Sequence, residues 1–131
     1  MARKRETIVY LDTHVVIWLY AGLLDKITDA AKQAIDDSDL LVSQIARLEL
    51  QYLFEIGRLK VKADTIISSL SKSIGLKLSD IAFSEIIGEA LNLNWTRDVF
   101  DRLLVAEAKT FKRGFVSADR HVQSNFKQTI W

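Results

Sequence analysis

The sequence contains no cysteine and only two histidines, His14 and His121, among its 131 residues. Without cysteine it cannot form a disulfide, a thiolate zinc site, an iron–sulfur cluster or a cysteine nucleophile. Two histidines leave little scope for a zinc site held by several imidazoles. Any bound metal must therefore be held by carboxylates, which favour the hard cations Mg²⁺ and Mn²⁺.

Proline is also absent, and the five glycines are scattered along the chain. No repeat, low-complexity tract or linker rich in Pro, Gly or Ser divides the sequence. A chain of this length can bury about two thirds of its unfolded surface. Its 49% hydrophobic and 27% charged residues, with a mean hydropathy of +0.08, are typical of a globular protein. We therefore predict one domain over residues 1–131.

Long hydrophobic runs are missing too. The apolar run at residues 15–24 is about half as long as a membrane span requires. The basic cluster at residues 3–5 before it imitates a secretory signal, but Glu6, Asp12 and His14 interrupt the pattern. We expect a cytoplasmic protein with no membrane partner. A net charge of +1 means that any nucleic-acid binding would depend on a local patch.

Short apolar segments alternate with segments of helical periodicity, a pattern that predicts an α/β sandwich around a mostly parallel sheet. In the segment 44–56, Ile45, Leu48, Tyr52, Leu53 and Ile56 lie at helical spacing and predict the buried face of a helix. Strands are predicted at 7–11, 40–43, 76–78, 115–118 and 128–131, and helices from Thr13 onward and at 28–37, 44–56, 61–74, 80–91 and 99–112.

Two aspartates directly follow predicted strands. Asp12 comes after TIVYL and Asp119 after FVSA. In open parallel sheets the functional crevice lies beyond the carboxyl ends of the strands, so the two carboxylates are candidates for one site. Each aspartate also precedes a predicted helix, and either could simply cap that helix.

Glu49 is a carboxylate on the predicted buried face, with Ile45, Tyr52 and Leu53 as its helical neighbours. An unpaired buried carboxylate costs several kcal/mol, so the side chain must reach the edge of the core, find a cation or shift its pKa. A boundary position, an ion pair with a distant Arg or Lys, and a metal site all satisfy this requirement.

Asp98 and Asp101 open another predicted helix and share one of its faces, roughly 5–6 Å apart. Asp98 also suits a helix start and a surface pair with Arg102, four residues later. Asp101 is different, because Leu104, Val105 and Ala108 follow it at helical spacing and place it beside the apolar stripe.

Asp12, Glu49, Asp101 and Asp119, with Asp98 close by, form a candidate carboxylate constellation. Such charges can share a crevice only if protons or divalent cations offset their repulsion. A carboxylate-held Mg²⁺ that activates water and stabilises a phosphodiester transition state would make the site a nuclease. Thr13 and Ser117 could hydrogen-bond the carboxylates or a metal-bound water, or cap secondary structure, and Ser43 has the same two options. His14 is interpreted as structural, since an apolar run follows it.

The ordered set of segments LDTHVVIWL, SQIARLELQYLFEIGRL, TRDVFDRLLVAEA, FVSAD and the terminal IW resembles the PIN-domain ribonucleases, specifically the VapC-type toxins of bacterial toxin–antitoxin systems. The similarity runs nearly end to end. It implies a three-layer α/β/α sandwich with a central, mostly parallel sheet. The family's acidic quartet, which binds Mg²⁺ or Mn²⁺, matches Asp12, Glu49, Asp101 and Asp119, and an additional acidic residue of one subgroup matches Asp98.

The resemblance further implies a homodimer, a cognate antitoxin that inhibits the site, and a substrate such as transfer RNA or another structured RNA. The chain departs from its subgroup at Thr96, where histidine is usual, and at Val99, where proline is usual. Both changes leave the acidic positions intact, so they bear on loop shape or substrate choice.

We therefore predict a metal-dependent endoribonuclease toxin in which Asp12, Asp101 and Asp119 hold the metal directly and Glu49 completes the site or orients a water. Asp98 is an auxiliary residue that holds the metal directly or through a water, and Thr13 and Ser117 are also auxiliary. Arg97, Arg102 and Arg120 are weak candidates for RNA binding, because acidic residues in the same stretch nearly balance them. The alternative is a catalytically weak binding module that acts through its antitoxin complex. A phospho-acceptor receiver domain is disfavoured, since Leu11, Asp12 and Thr13 offer one acid where that family needs a pair.

Overall fold

The structure is a computed structural model and describes residues 7–131, so the basic cluster at residues 3–5 lies outside the described residues. Its five strands form one sheet in the order β3-β2-β1-β4-β5, and every strand pairing in the described chain is parallel. The strands are β1 (Ile8–Leu11), β2 (Asp39–Val42), β3 (Lys77–Leu78), β4 (Gly114–Val116) and β5 (Thr129–Ile130).

Helices flank this sheet, so the predicted three-layer α/β/α sandwich is confirmed. A short 3-10 turn covers Leu24–Lys26. The helices are α1 (Thr13–Ala21), α2 (Asp29–Asp37), α3 (Gln44–Glu55), α4 (Ala63–Ile74), α5 (Phe83–Ala90), α6 (Val99–Thr110) and α7 (Arg120–Asn125). None of the helices within residues 7–131 is both long enough and apolar enough to cross a membrane.

The central strand β1 supplies the middle of the core. Val9, Tyr10 and Leu11 are almost completely buried. Because β1 lies between β2 and β4 and both faces of the sheet are covered, its sequence is a continuous apolar run rather than an alternating one. This run ends at Asp12, and the backbone N–H of Asp12 still donates to the carbonyl of Val116, 3.0 Å away. The first carboxylate of the candidate site is therefore anchored directly to the sheet.

The predicted helix ends agree with the observed ends to within a few residues. Thr28 caps α2 as expected, with its Oγ1 accepting from the backbone N–H of Ala31 at 3.2 Å. Gly75 ends α4 in the left-handed conformation, φ 74°. The predicted helix at 80–91 begins only at Phe83, because residues 79–82 first extend the chain past β3. The N–H of Ser79 donates to the carbonyl of Val42 at 2.9 Å.

The predicted buried face of α3 is wrong. Ile45 is buried, but Leu48 is 64% exposed and Tyr52 46% exposed, and the core side of the helix instead carries Ala46 and Leu50. The helix has apolar side chains on two sides, so spacing alone does not decide which side packs inward. Glu49 lies between the two sides and is half-buried.

Candidate active site

Five carboxylates gather at the carboxyl edge of the sheet. Asp12 directly follows β1 and Asp119 follows β4 by three residues, and these adjacent parallel strands end at the same edge. Glu49 lies on α3, while Asp98 and Asp101 lie at the start of α6. The site is thus assembled from four separate parts of the chain.

Asp12 is only 3% exposed, and both of its oxygens are occupied. Its Oδ1 accepts from the backbone N–H of Thr13 and its Oδ2 from Oγ of Ser117, each at 2.7 Å. Burial is the main reason that the pKa of Asp12 is raised, and the charge of Asp119 adds to the effect. The electrostatic interaction with the His14 ring and the hydrogen bonds from Ser117 and Thr13 oppose it.

Asp119 caps α7, with Oδ1 accepting from the backbone N–H groups of His121 at 2.8 Å and Val122 at 3.2 Å. Its own N–H donates to Oγ of Ser117 at 3.1 Å. Ser117 therefore links the two strand-end aspartates. Both aspartates do cap helices, but the cap uses only Oδ1 in each case. Capping therefore leaves Oδ2 for another contact, which in Asp12 is the hydroxyl of Ser117.

Glu49 is held by Thr13, whose Oγ1 donates to Oε1 of Glu49 at 2.5 Å. Within residues 7–131 it forms no ion pair with an Arg or Lys. Burial is the main cause that raises the pKa of Glu49, and the charges of Asp12 and Asp98 raise it further, against the hydrogen bond from Thr13. Glu49 therefore occupies a boundary position and faces the other carboxylates.

Asp98 is exposed and caps α6, with Oδ1 accepting from the backbone N–H of Asp101 at 3.0 Å. Of the two alternatives for Asp98, the structure shows the helix start, and no ion pair joins Asp98 to Arg102 within residues 7–131. Arg102 turns away, and its Nε donates to the carbonyl of Ala90 at 2.8 Å. Helix capping therefore explains the position of Asp98 in this structure. Its negative charge also raises the pKa values of Glu49 and Asp101.

Asp101 shows most clearly that the carboxylates converge. Its pKa is raised to about 7, first by burial and then by the negative charges of Asp12, Asp98, Asp119 and Glu49. All four other carboxylates of the predicted constellation thus act on this one side chain. An extra proton or a bound cation would relieve the repulsion.

The donor set suits a hard cation, since every candidate ligand atom is a carboxylate or hydroxyl oxygen. Among residues 7–131, however, no three Asp, Glu, His or Cys side chains are already arranged closely enough to hold one metal ion. The carboxylates are close enough for their charges to act on one another, but four of the five accept hydrogen bonds from hydroxyl or backbone N–H groups. Cation binding would therefore require some of these side chains to turn inward.

His14 contacts two of the turns that form the site. Its Nε2 accepts from the backbone N–H of Ala118 at 2.8 Å, which places the ring proton on Nδ1, 3.6 Å from Oδ2 of Asp12. The ring thus joins the turn after β1 to the turn after β4. This contact agrees with the structural interpretation of His14.

Sequence reasoning missed a second buried carboxylate, that of Glu107, which is 1% exposed. Its Oε1 accepts from Oγ of Ser43 at 2.7 Å, and its Oε2 accepts from Oγ of Ser79. Burial, followed by the hydrogen bond and charge of Glu107, raises the pKa of Tyr10 to about 12. Glu107 lies between Ala106 and Ala108 on an apolar helix, the same signal that drew attention to Glu49.

Within residues 7–131, none of the three candidate RNA-binding arginines forms an ion pair with the five carboxylates. Arg97 and Arg102 line an apolar groove of about 590 Å³ between α5 and α6, together with Phe83 and Leu91. Arg120 is exposed on α7, next to Asp119. Their role in RNA binding stays a prediction.

A family model for the PIN domain matches residues 9–127, and no curated protein sequence matches the chain. The toxin–antitoxin complex from Klebsiella pneumoniae is similar in fold, with a TM-score of 0.66 at 16% identity over 94% of this chain and 96% of that one. The VapBC2 complex of Rickettsia felis, bound to a promoter DNA fragment, gives a TM-score of 0.62 at 16% identity, over 90% of this chain and 92% of that one.

VapBC-1 from nontypeable Haemophilus influenzae gives a TM-score of 0.55 at 13% identity, over 93% of this chain and 92% of that one. At sequence identities this low, the TM-scores show a shared fold and nothing further. All three similarities cover nearly the whole of both chains, so the fold matches end to end.

Proposed function

The chain belongs to the PIN-domain family, whose members are generally nucleases, and from this premise we propose that it is a metal-dependent endoribonuclease, the toxin of a VapC-type toxin–antitoxin pair. Residues 1–131 would act as one domain, in the cytoplasm, and hydrolyse RNA phosphodiester bonds by means of an activated water. The fold shared with three toxin–antitoxin complexes supports the proposal.

The observation that carries the proposal is the convergence of four carboxylates on a fifth, Asp101, whose pKa is raised to about 7 by burial and by the other four charges. Like charges gathered at one sheet edge repel one another and destabilise the fold unless a cation or protons compensate them. Structural ion pairs do not explain the cluster, because within residues 7–131 only His14 lies within ion-pair distance of it.

In this mechanism Asp12, Asp98, Asp101 and Asp119 would hold Mg²⁺ or Mn²⁺, and Glu49 would complete the site or orient a water. The metal, when bound, supplies a Lewis acid that activates water and offsets the charge on the phosphodiester. Thr13 fixes the direction of Glu49, and Ser117 fixes Asp12 relative to Asp119. A cation held there would favour the ionised form of Asp101, because a carboxylate ligand must be deprotonated.

The test is cleavage of total cellular RNA by the purified protein with Mg²⁺ or Mn²⁺, beside Asp12→Asn and Asp101→Asn. We expect discrete fragments from the wild type and a loss of at least about 100-fold in both variants, because each removes a charged ligand. Circular dichroism would show that both variants are folded. Unchanged turnover of folded Asp12→Asn would contradict the site assignment.

The alternative is a catalytically weak PIN-fold module that acts only through its antitoxin complex. It is favoured by one observation, namely that no three potential ligands in residues 7–131 are already grouped around a metal position. Calorimetry distinguishes the two functions. Folded protein that binds neither Mg²⁺ nor Mn²⁺ but still binds its partner would support the module.

An exposed apolar surface supports the proposed protein partners, a cognate antitoxin and a second copy of this chain. It is formed by residues of α3, of α5 with the residue that follows it, and of the start of α6. Exposed apolar patches of this kind mark protein–protein interfaces. Its most exposed members are Leu48, Tyr52, Phe83, Leu91 and Val99.

A further inference from the structure

A strip of aromatic rings leads away from the carboxylates. The ring of His14, beside Asp12, lies 5.0 Å from that of Trp18, and Trp18 lies 5.9 Å from Trp131, centroid to centroid. Trp18 is one helical turn after His14 on α1, and Trp131 directly follows β5. The two rings at the ends of this strip, those of His14 and Trp131, are therefore held by secondary structure at the same edge of the sheet as the carboxylates.

These rings are only partly explained by the core. The fully buried side of α1 consists of Thr13, Val15 and Val16, whereas His14, Trp18 and Trp131 are all partly exposed. Trp18 packs against the core with part of its surface and leaves the rest open to solvent. A large, partly exposed ring held by its neighbours offers a flat binding surface at low entropic cost.

Lys26 adds a cation to this strip. Its Nζ lies 5.6 Å from the centroid of the Trp18 ring, and the side chain is exposed. Within residues 7–131 Lys26 forms no ion pair with a carboxylate. The flexible lysine can swing off the ring at little cost, and its ammonium then remains beside whatever occupies the ring face.

A ring face next to a mobile ammonium matches an unpaired nucleotide, which carries a flat base and a phosphate. Bases stack on aromatic side chains with little sequence preference, and lysine neutralises backbone phosphate. A base within a duplex cannot use such a surface, since both of its faces are already stacked. Only the His14 ring lies between Trp18 and Asp12, so a nucleotide bound at Trp18 would adjoin the proposed cleavage site.

We propose that Trp18 and Lys26 form a nucleotide subsite, in which an unpaired base stacks on Trp18 and an adjacent phosphate contacts Lys26, while Trp131 supports the Trp18 ring. The subsite rests on the proposed ribonuclease function and names a substrate-binding part of it. Trp18 is a substrate-binding residue that favours unpaired over paired RNA, and no step of the chemistry is assigned to it.

The test measures binding of a labelled, unstructured ten-nucleotide RNA to the Asp101→Asn protein, so that cleavage does not interfere. Against this background we expect Trp18→Leu to weaken binding about 5- to 150-fold, and Trp18→Phe to lose less because it keeps a ring. Tyr20→Leu is the matched control. It removes an exposed aromatic side chain two residues along α1, on another side of the helix, and should leave affinity unchanged.

Two further comparisons sharpen the result. Lys26→Gln should reduce the slope of log affinity against log salt concentration by about 0.7, the value for one phosphate contact on a single strand. A duplex of the same length should be insensitive to Trp18→Leu. Thermal unfolding of each variant confirms that it is folded, and Trp18→Phe keeps the test decisive if Trp18→Leu does not fold.

Equal RNA affinity of the Trp18→Phe, Trp18→Leu and parent proteins would overturn the subsite, while metal-dependent cleavage by the wild type would still support the function. Loss of antitoxin binding in Trp18→Leu, with RNA binding unchanged, would likewise overturn it and assign the strip to a protein partner. Trp18-dependent RNA binding by a wild type that cleaves nothing would support the subsite and contradict the ribonuclease.

Discussion

At the scale of single residues, the carboxylate cluster is a source of instability. Asp12, Glu49 and Asp101 all have raised pKa values, with burial as the main cause in each. Their ionised forms are therefore less stable in the folded protein than in the unfolded chain. Such a loss of stability is what the proposed function, which needs these charges together, would cost the protein.

Replacement of Asp101 by Asn tests this cost. Between about pH 4 and pH 7 folded Asp101 keeps a proton that the unfolded chain has lost, so the free energy of unfolding falls as the pH rises through this range. We expect Asp101→Asn to be more stable than the wild type by about 1 kcal/mol above pH 7, a value kept small because solvent screens this half-exposed side chain.

The measurement is urea unfolding of both proteins from pH 3.5 to pH 8, with EDTA present. The difference in unfolding free energy should grow with pH and vanish near pH 4. A difference that is constant across this range would show that Asp101 does not titrate as its surroundings indicate.

At the scale of secondary-structure elements, the buried Glu107 joins parts of the chain that carry the site. Through Ser43 and Ser79 it links α6, which bears Asp101, to the start of α3, which bears Glu49, and to the end of β3. Ser43 also caps α3, with Oγ accepting from the N–H of Ile45 at 3.0 Å. One carboxylate therefore aligns two site helices against the sheet.

Glu107→Ala should lower the free energy of unfolding by about 3 kcal/mol, because it leaves buried hydroxyls without an acceptor and opens a cavity. The matched control is Glu89→Ala, which removes a surface pair with Lys109, 3.3 Å apart, and should cost less than about 1 kcal/mol. Equal losses in chemical denaturation would show that the Glu107 network contributes no special stability.

At the scale of the whole molecule, α3, α5 and α6 present several strongly exposed apolar side chains on one surface. Leu91 is 72% exposed and Val99 66% exposed, and both line the groove of about 590 Å³. Partner binding would remove this surface from water, which is a favourable change in free energy.

Leu91→Glu should weaken association with an antitoxin or a second copy at least about tenfold, since it places an unpaired charge in an apolar interface. Leu24→Glu is the matched control. Leu24 is an exposed leucine on the 3-10 turn, outside this groove. Light scattering and co-purification with the antitoxin measure both variants. The same association in both would argue against this surface as the interface.

The sequence by itself determined the fold class and the identity of the candidate residues. Apolar runs of strand length that alternate with helical periodicity lead to a parallel sheet between helices, and strand-end aspartates follow from that arrangement. Local rules also sufficed for the cap of α2 and the end of α4, because a cap depends only on neighbouring residues. The roles of the carboxylates in metal binding and catalysis stay predictions.

Three features were decided by the tertiary structure alone. They are the apolar side of α3 that packs inward, the hydrogen bond of Arg102 to the carbonyl of Ala90, and the burial of Glu107. Each depends on partners distant in sequence. Glu107 meets hydroxyls 28 and 64 residues away, and Thr13 meets Glu49 across 36 residues. Spacing along a chain identifies which residues share a helix face, whereas the pKa of about 7 at Asp101 arises from charges that only the folded chain brings together.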